Sequence, residues 1–117
     1  MSRLELSAQE ALEQAREGIP LVDIRTEAER LEGSAEGAQT MTVEELKARC
    51  SSEAGAAFRI NLLCAGGARS LVLAATLQRE GLADALSVAG GFERWKAAGL
   101  PIEKSAAGDN IASDRYA

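Results

Sequence analysis

The residues best suited to do chemistry are Cys64-Ala65-Gly66-Gly67-Ala68-Arg69-Ser70, which follow directly on the apolar run Ile60-Asn61-Leu62-Leu63. A strand ending in a thiol, then a flexible loop, then a helix start would set the sulfur in a ring of backbone N–H groups. Those dipoles, together with the positive end of the helix, favour thiolate over thiol. Gly66 and Gly67 permit the positive φ that a curled loop needs. Arg69 adds a permanent cation in the first helical turn, where it opposes the helix dipole, so a role in meeting an anion explains it better than helix formation does. A cysteine in an apolar run is by itself an ordinary small core residue. The glycines and the arginine turn the reading towards a nucleophile acting on an anionic substrate. Cys64 is therefore the candidate catalytic residue, and Ala65, Gly66, Gly67, Ala68, Arg69 and Ser70 form the candidate substrate-binding loop.

The chain contains no histidine. This excludes Cys-His hydrolases, Ser-His triads and any imidazole proton relay, and it removes the commonest zinc ligand. Cys50 and Cys64 would need several carboxylates to complete a metal site, so neither a metal nor another cofactor is expected. Cysteine phosphatases also arrange Cys and Arg around a backbone cradle, but with the arginine one position further along. Arg69 stands five residues after Cys64, which gives a smaller ring that suits one sulfur better than a tetrahedral phosphate.

The elements that must position this loop can be read from short apolar runs alternating with helical patterns, which predict an α/β fold with mostly parallel strands. Leu4–Leu6 reads as a short edge strand. Ser7 with Glu10 forms a capping box that opens a helix ended by Gly18. Leu21–Ile24 is a short buried strand after Pro20. Thr26 with Glu29 is a second capping box, on a short helix stopped by Gly33. A brief strand is expected around Ala38–Met41, and Thr42 with Glu45 caps a helix running to about Cys50. Ile60–Cys64 is the central strand, Ser70–Glu80 a helix laid on the sheet, Ala85–Ala89 a further strand and Phe92–Ala98 the last helix. Ligands in such sheets sit at the carboxyl ends of strands, where Cys64 lies. Trp95 reads as core packing and Cys50 as incidental to the chemistry.

At 117 residues the chain holds one domain with a real core. Hydrophobic residues at 46% and charged residues at 26% describe a folded globular chain. A net charge of −5 with no basic run argues against a nucleic-acid partner. No apolar run approaches the roughly 20 residues of a membrane span and no signal peptide precedes the first helix, so a membrane location is not expected. Two cysteines do not make a disulfide framework, and a reducing cytoplasm is the expected compartment.

Cys64 to Ser70 resembles the active-site loop of rhodanese-type sulfurtransferases, in which a cysteine is followed by a glycine, an arginine and often a serine at the spacing of Gly67, Arg69 and Ser70. Leu21-Val22-Asp23-Ile24-Arg25 with Glu29 is similar to that family's opening strand and Asp-x-Arg turn. Gly33-Ser34-Ala35-Glu36-Gly37-Ala38 resembles its Gly-His-Ile-Pro-Gly-Ala stretch. Ser87-Val88-Ala89-Gly90-Gly91-Phe92, with Trp95, Gly99, Leu100 and Pro101, resembles its closing strand and helix. The likeness covers about residues 3–104. It implies a three-layer α/β/α domain over residues 1–104, with a mostly parallel five-stranded sheet, followed by a polar tail or linker over 105–117.

The resemblance also implies a sulfurtransferase. Cys64 would take a sulfane sulfur from a small anionic donor such as thiosulfate, or from a protein donor, and carry it as a persulfide to a nucleophile or a protein sulfur carrier. Asp23 and Arg25 would stand behind the site, tying the first strand's turn to the core. Two departures stand out. Ser34-Ala35-Glu36 replaces His-Ile-Pro, so that connection is expected to be repacked or mobile. Ala65 stands where some members carry a basic residue, leaving one cation in the loop. The alternative is a non-catalytic or regulatory binding domain of the same fold. Asp114-Arg115-Tyr116-Ala117 resembles the opening of sulfur-carrier adenylating domains, which would make this the sulfur-donating domain of a fused adenylyltransferase.

Overall fold

The computed structural model describes residues 3–52 and 58–103. Along the chain run β1 (Glu5–Leu6), α1 (Ala8–Arg16), β2 (Leu21–Asp23), a 3-10 turn (Glu29–Glu32), β3 (Ser34–Ala35), β4 (Gln39–Thr40) and α2 (Val43–Ser52). They are followed by β5 (Arg59–Leu63), α3 (Ala68–Arg79), β6 (Asp84–Val88), α4 (Gly91–Ala97) and β7 (Ile102–Glu103). Five strands form one sheet in the order β1-β6-β5-β2-β4, with every neighbouring pair parallel. β5 is the middle strand, as the apolar run before Cys64 predicts.

Side-chain alternation along these strands divides the core in two. Leu21, Leu63, Leu86 and Val88 meet α1 and α4 through Ala11, Leu12, Phe92 and Trp95. Val22, Ile60, Leu62 and Ala85 meet α2 and α3 through Leu46, Cys50, Leu73 and Leu77. Both faces of a parallel sheet are covered by helices, so its strands read as continuous apolar runs. The expected three-layer α/β/α architecture follows directly.

The three capping boxes form as their spacing predicts. Ser7 Oγ accepts from the Glu10 N–H at 3.0 Å while the Ser7 N–H donates to Glu10 Oε1 at 2.9 Å. Thr42 with Glu45 repeats this at the start of α2. Thr26 with Glu29 does so too, but opens only one 3-10 turn before Gly33.

The Ser34-Ala35-Glu36 segment, expected to be repacked or mobile, is packed into a small second sheet. It pairs antiparallel with β7, the Glu36 N–H donates to the Pro101 carbonyl, and Ala35 is fully buried. This two-stranded sheet is absent from the sequence-based expectation, because two-residue strands carry too few residues to show a period. The polar tail over 105–117 lies outside the described residues. Among the described residues no helix is long and apolar enough to cross a membrane.

Candidate active site

β5 ends at Leu63 and delivers Cys64, the next residue, to the carboxyl edge of the sheet, where the residue is 1% exposed. The chain then curls. Gly67 has φ +98°, and a Cβ there would stand 3.0 Å from the Gly90 nitrogen, so only glycine fits between loop and β6–α4 connection. The positive φ expected of both glycines is found at Gly67 and not at Gly66. The curl brings the Gly67 N–H to 3.1 Å and the Ser70 N–H to 3.3 Å from Cys64 Sγ, with Ser70 Oγ at 3.3 Å. Ser70 Oγ is in turn 2.6 Å from Ser87 Oγ on β6, and both hydroxyls reach the Gly67 carbonyl at 3.4 Å.

α4 holds the loop from behind. The Phe92 N–H donates to the Cys64 carbonyl at 2.8 Å and the Glu93 N–H to the Ala65 carbonyl at 3.0 Å. In a trans peptide the N–H points opposite its carbonyl, so tying these oxygens to α4 turns the Ala65 and Gly66 amides away from it. Gly91 makes this approach possible: at φ +58°, a Cβ there would lie 2.4 Å from the Cys64 carbonyl oxygen.

Burial opposes ionisation of Cys64, yet the hydrogen bonds from the Ser70 hydroxyl and from the Ser70, Gly67 and Arg69 amides outweigh it. The thiol is held below its ordinary range. Arg69 is turned outward. Its guanidinium grips Glu29 at both ends, Nη1 to Oε1 at 3.1 Å and Nη2 to Oε2 at 2.7 Å. Arg69, with the Thr26 N–H, holds the Glu29 carboxyl down at about 2. Across the loop, both Glu93 carboxylate oxygens lie 4.0 Å from where a Gly66 Cβ would stand.

Asp23 and Arg25 form a fully buried ion pair at 2.8 Å. Arg25 also donates to the Gly33 carbonyl at 2.7 Å and the Glu29 carbonyl at 3.4 Å, and stacks over Phe92 at 4.1 Å. The pair thus ties β2 to the 3-10 turn and to α4. Cys64, Gly67 and Ser70 are brought into contact; Ala65 supplies a carbonyl to α4; Gly66 and Ala68 lie exposed on the rim. Cys50 is buried on α2 within the α2–α3 core, and no disulfide joins it to Cys64. Sequence reasoning passed over Ser87, Gly91 and Glu29 as site residues. Ser87 could have been noticed as a hydroxyl inside an otherwise apolar strand.

Residues 7–98 match the profile of the rhodanese-like domain. The chain belongs to that family. Solved structures agree on the rhodanese-like fold. A rhodanese-like domain protein from Staphylococcus aureus is 25% identical, with 90% of this chain and 99% of that one covered and a TM-score of 0.65. Reduced Bacillus anthracis CoADR-RHD is 24% identical with a TM-score of 0.71, covering 86% of this chain and 18% of that one. A thiosulfate sulfurtransferase from Pseudomonas aeruginosa is 23% identical with a TM-score of 0.70, covering 90% of this chain and 20% of that one. The rhodanese-like chain described here thus spans about a fifth of those two longer proteins.

Proposed function

We propose that this rhodanese-like domain is a sulfurtransferase that carries a sulfane sulfur as a persulfide on Cys64. The observation that carries the reading is the cradle itself: a buried sulfur accepting two backbone N–H groups and facing a serine hydroxyl. Such a setting stabilises a thiolate and, equally, a persulfide anion. The Cys64 thiolate attacks the outer sulfur of the donor. A new S–S bond forms, the donor's own bond to that sulfur breaks, and its electron pair leaves with the sulfite or thiolate product. A second nucleophile then attacks the terminal sulfur and the Cys64 thiolate departs, regenerating the start. Neither step needs a proton carried by a side chain, which is consistent with a chain lacking histidine. Donors of this class are small anions such as thiosulfate or persulfides on proteins. Acceptors are thiols, cyanide or a protein sulfur carrier. A reducing compartment, such as the cytoplasm, would keep Cys64 reduced between turnovers.

The test is intact mass spectrometry of the reduced protein after incubation with candidate donors. The wild type is expected to gain the mass of one sulfur and to lose it on addition of a thiol. Cys64→Ala is expected to gain none. Equal labelling of both proteins would reject the assignment.

A further inference from the structure

We propose that Glu29 is a specificity-determining residue of the Cys64 site, its carboxylate occupying the place on Arg69 that an anionic leaving group would need, so that the domain takes sulfur from persulfides of thiols in preference to thiosulfate. This inference rests on the sulfurtransferase reading and narrows its donor class.

An exposed ion pair usually contributes little, because two long side chains must be held in one geometry. Glu29 is already held. Its Oε1 accepts the Thr26 N–H at 2.8 Å, its own N–H donates to Thr26 Oγ1 at 3.2 Å, and its carbonyl accepts from buried Arg25 at 3.4 Å. The carboxylate is therefore presented ready-placed to both guanidinium nitrogens, and much of the ordering cost falls on the turn rather than on the pair. With its carboxyl held at about 2, Glu29 remains charged at any ordinary working pH. A second carboxylate, Glu93, overhangs Gly66 from the other side, with its N–H fastened to the Ala65 carbonyl. The loop itself offers Arg69 as its single cation. The one guanidinium the loop supplies is thus engaged by Glu29, with the Glu93 carboxylate beside Gly66 and Arg94 Nε beside Gly90, behind Gly67.

The two donor classes place different charges on that rim. With thiosulfate, Cys64-S⁻ takes the outer sulfur and the electron pair of the broken S–S bond departs on sulfite, a dianion. With an ionised alkyl persulfide, the same attack forms the same Cys64 persulfide and releases an alkyl thiolate, a monoanion that solvent can protonate. A departing dianion must displace Glu29 to reach Arg69, whereas a departing thiolate need not.

The experiment loads the reduced protein with thiosulfate or with the persulfide of N-acetylcysteine methyl ester and follows Cys64 persulfide by intact mass. Glu29→Gln keeps an acceptor for the Thr26 N–H while removing the charge. It is expected to raise kcat/KM for thiosulfate relative to the alkyl persulfide by roughly tenfold, mainly through a lower thiosulfate KM. Glu93→Gln should move the ratio the same way by less. In a parallel measurement without turnover, sulfate should protect Cys64 from iodoacetamide at lower concentration in Glu29→Gln than in the wild type. An unchanged or lowered donor ratio, or identical sulfate protection, would overturn the proposal and leave Glu29 as a residue that merely positions Arg69. Failure of both donors to load any variant, with sulfate protection still shifted, would sink the transfer reading while the Glu29 anion site stood.

Discussion

At Cys64 two opposing forces meet on one atom. Burial disfavours the thiolate, and a short curl of backbone with one hydroxyl favours it more strongly. A free cysteine ionises near about 8.5. Because the Cys64 thiol is held lower, a larger share of it is thiolate at neutral pH, and its alkylation rate should level off at lower pH than that of a free cysteine. Ser70→Ala removes the hydroxyl that faces the sulfur and leaves the backbone donors in place. The midpoint of the rate profile should move upward, with reactivity at neutral pH falling on the order of tenfold, since a hydrogen bond to a charged group contributes about 1.5–3 kcal/mol. Iodoacetamide rates across pH, read at Cys64 by peptide mass, check this. An unmoved midpoint would mean that the amides alone set the ionisation. The charged groups around the cradle, Arg69 with Glu29, Glu93, Arg94 and the Asp23–Arg25 pair, are the same in both proteins.

Among the elements, α4 has a part that its length of seven residues does not suggest. Its first two amides after Gly91 fasten the carbonyls of Cys64 and Ala65, so a helix remote in sequence decides which way the loop's own amides point. The contact requires a residue without a Cβ at 91 and a positive φ there. Gly91→Ala combines a left-handed backbone, which costs about 1–3 kcal/mol for a non-glycine residue, with a collision against main chain that has no easy escape. A loss of stability of about 2 kcal/mol or more is expected, together with slower alkylation of Cys64 as the loop lifts from α4. Chemical denaturation alongside the thiol reactivity assay measures both. A variant of wild-type reactivity would show that the cradle holds its shape without α4.

Over the whole molecule, the buried Asp23–Arg25 pair links the sheet to the segment that carries Glu29 and to the aromatic ring of Phe92. Removing one partner of a buried pair costs about 3–5 kcal/mol when the other charge is left alone. Here Arg25 would keep only the half-exposed Glu32 carboxylate at 3.6 Å, which places the loss towards the lower end. Asp23→Ala should therefore unfold at distinctly lower denaturant concentration, and by a wider margin than loss of the exposed Lys96–Glu32 pair. Comparable losses from the two would contradict the structural role given to Asp23.

Much of this fold could be read locally. Apolar runs of strand length, capping boxes whose two partners stand three residues apart, and glycines after helical stretches each act within a few residues of chain, so α/β order, the middle strand and the Cys64 loop follow from the sequence alone. The β3–β7 pairing did not, because its two-residue strands acquire meaning only when Ile102 and Glu103 return beside them. The site divides along the same line. Residue types named Cys64, Gly67, Arg69 and Ser70, all within seven positions. Tertiary structure alone decided that Arg69 faces Glu29, forty residues away, that Ser87, seventeen residues on, sits against Ser70, and that Gly91 lies on the loop's carbonyls. Local pattern records which groups a segment can offer. Which partner each group meets depends on how separate segments pack, and a charge that looks available in the sequence can be engaged in the fold.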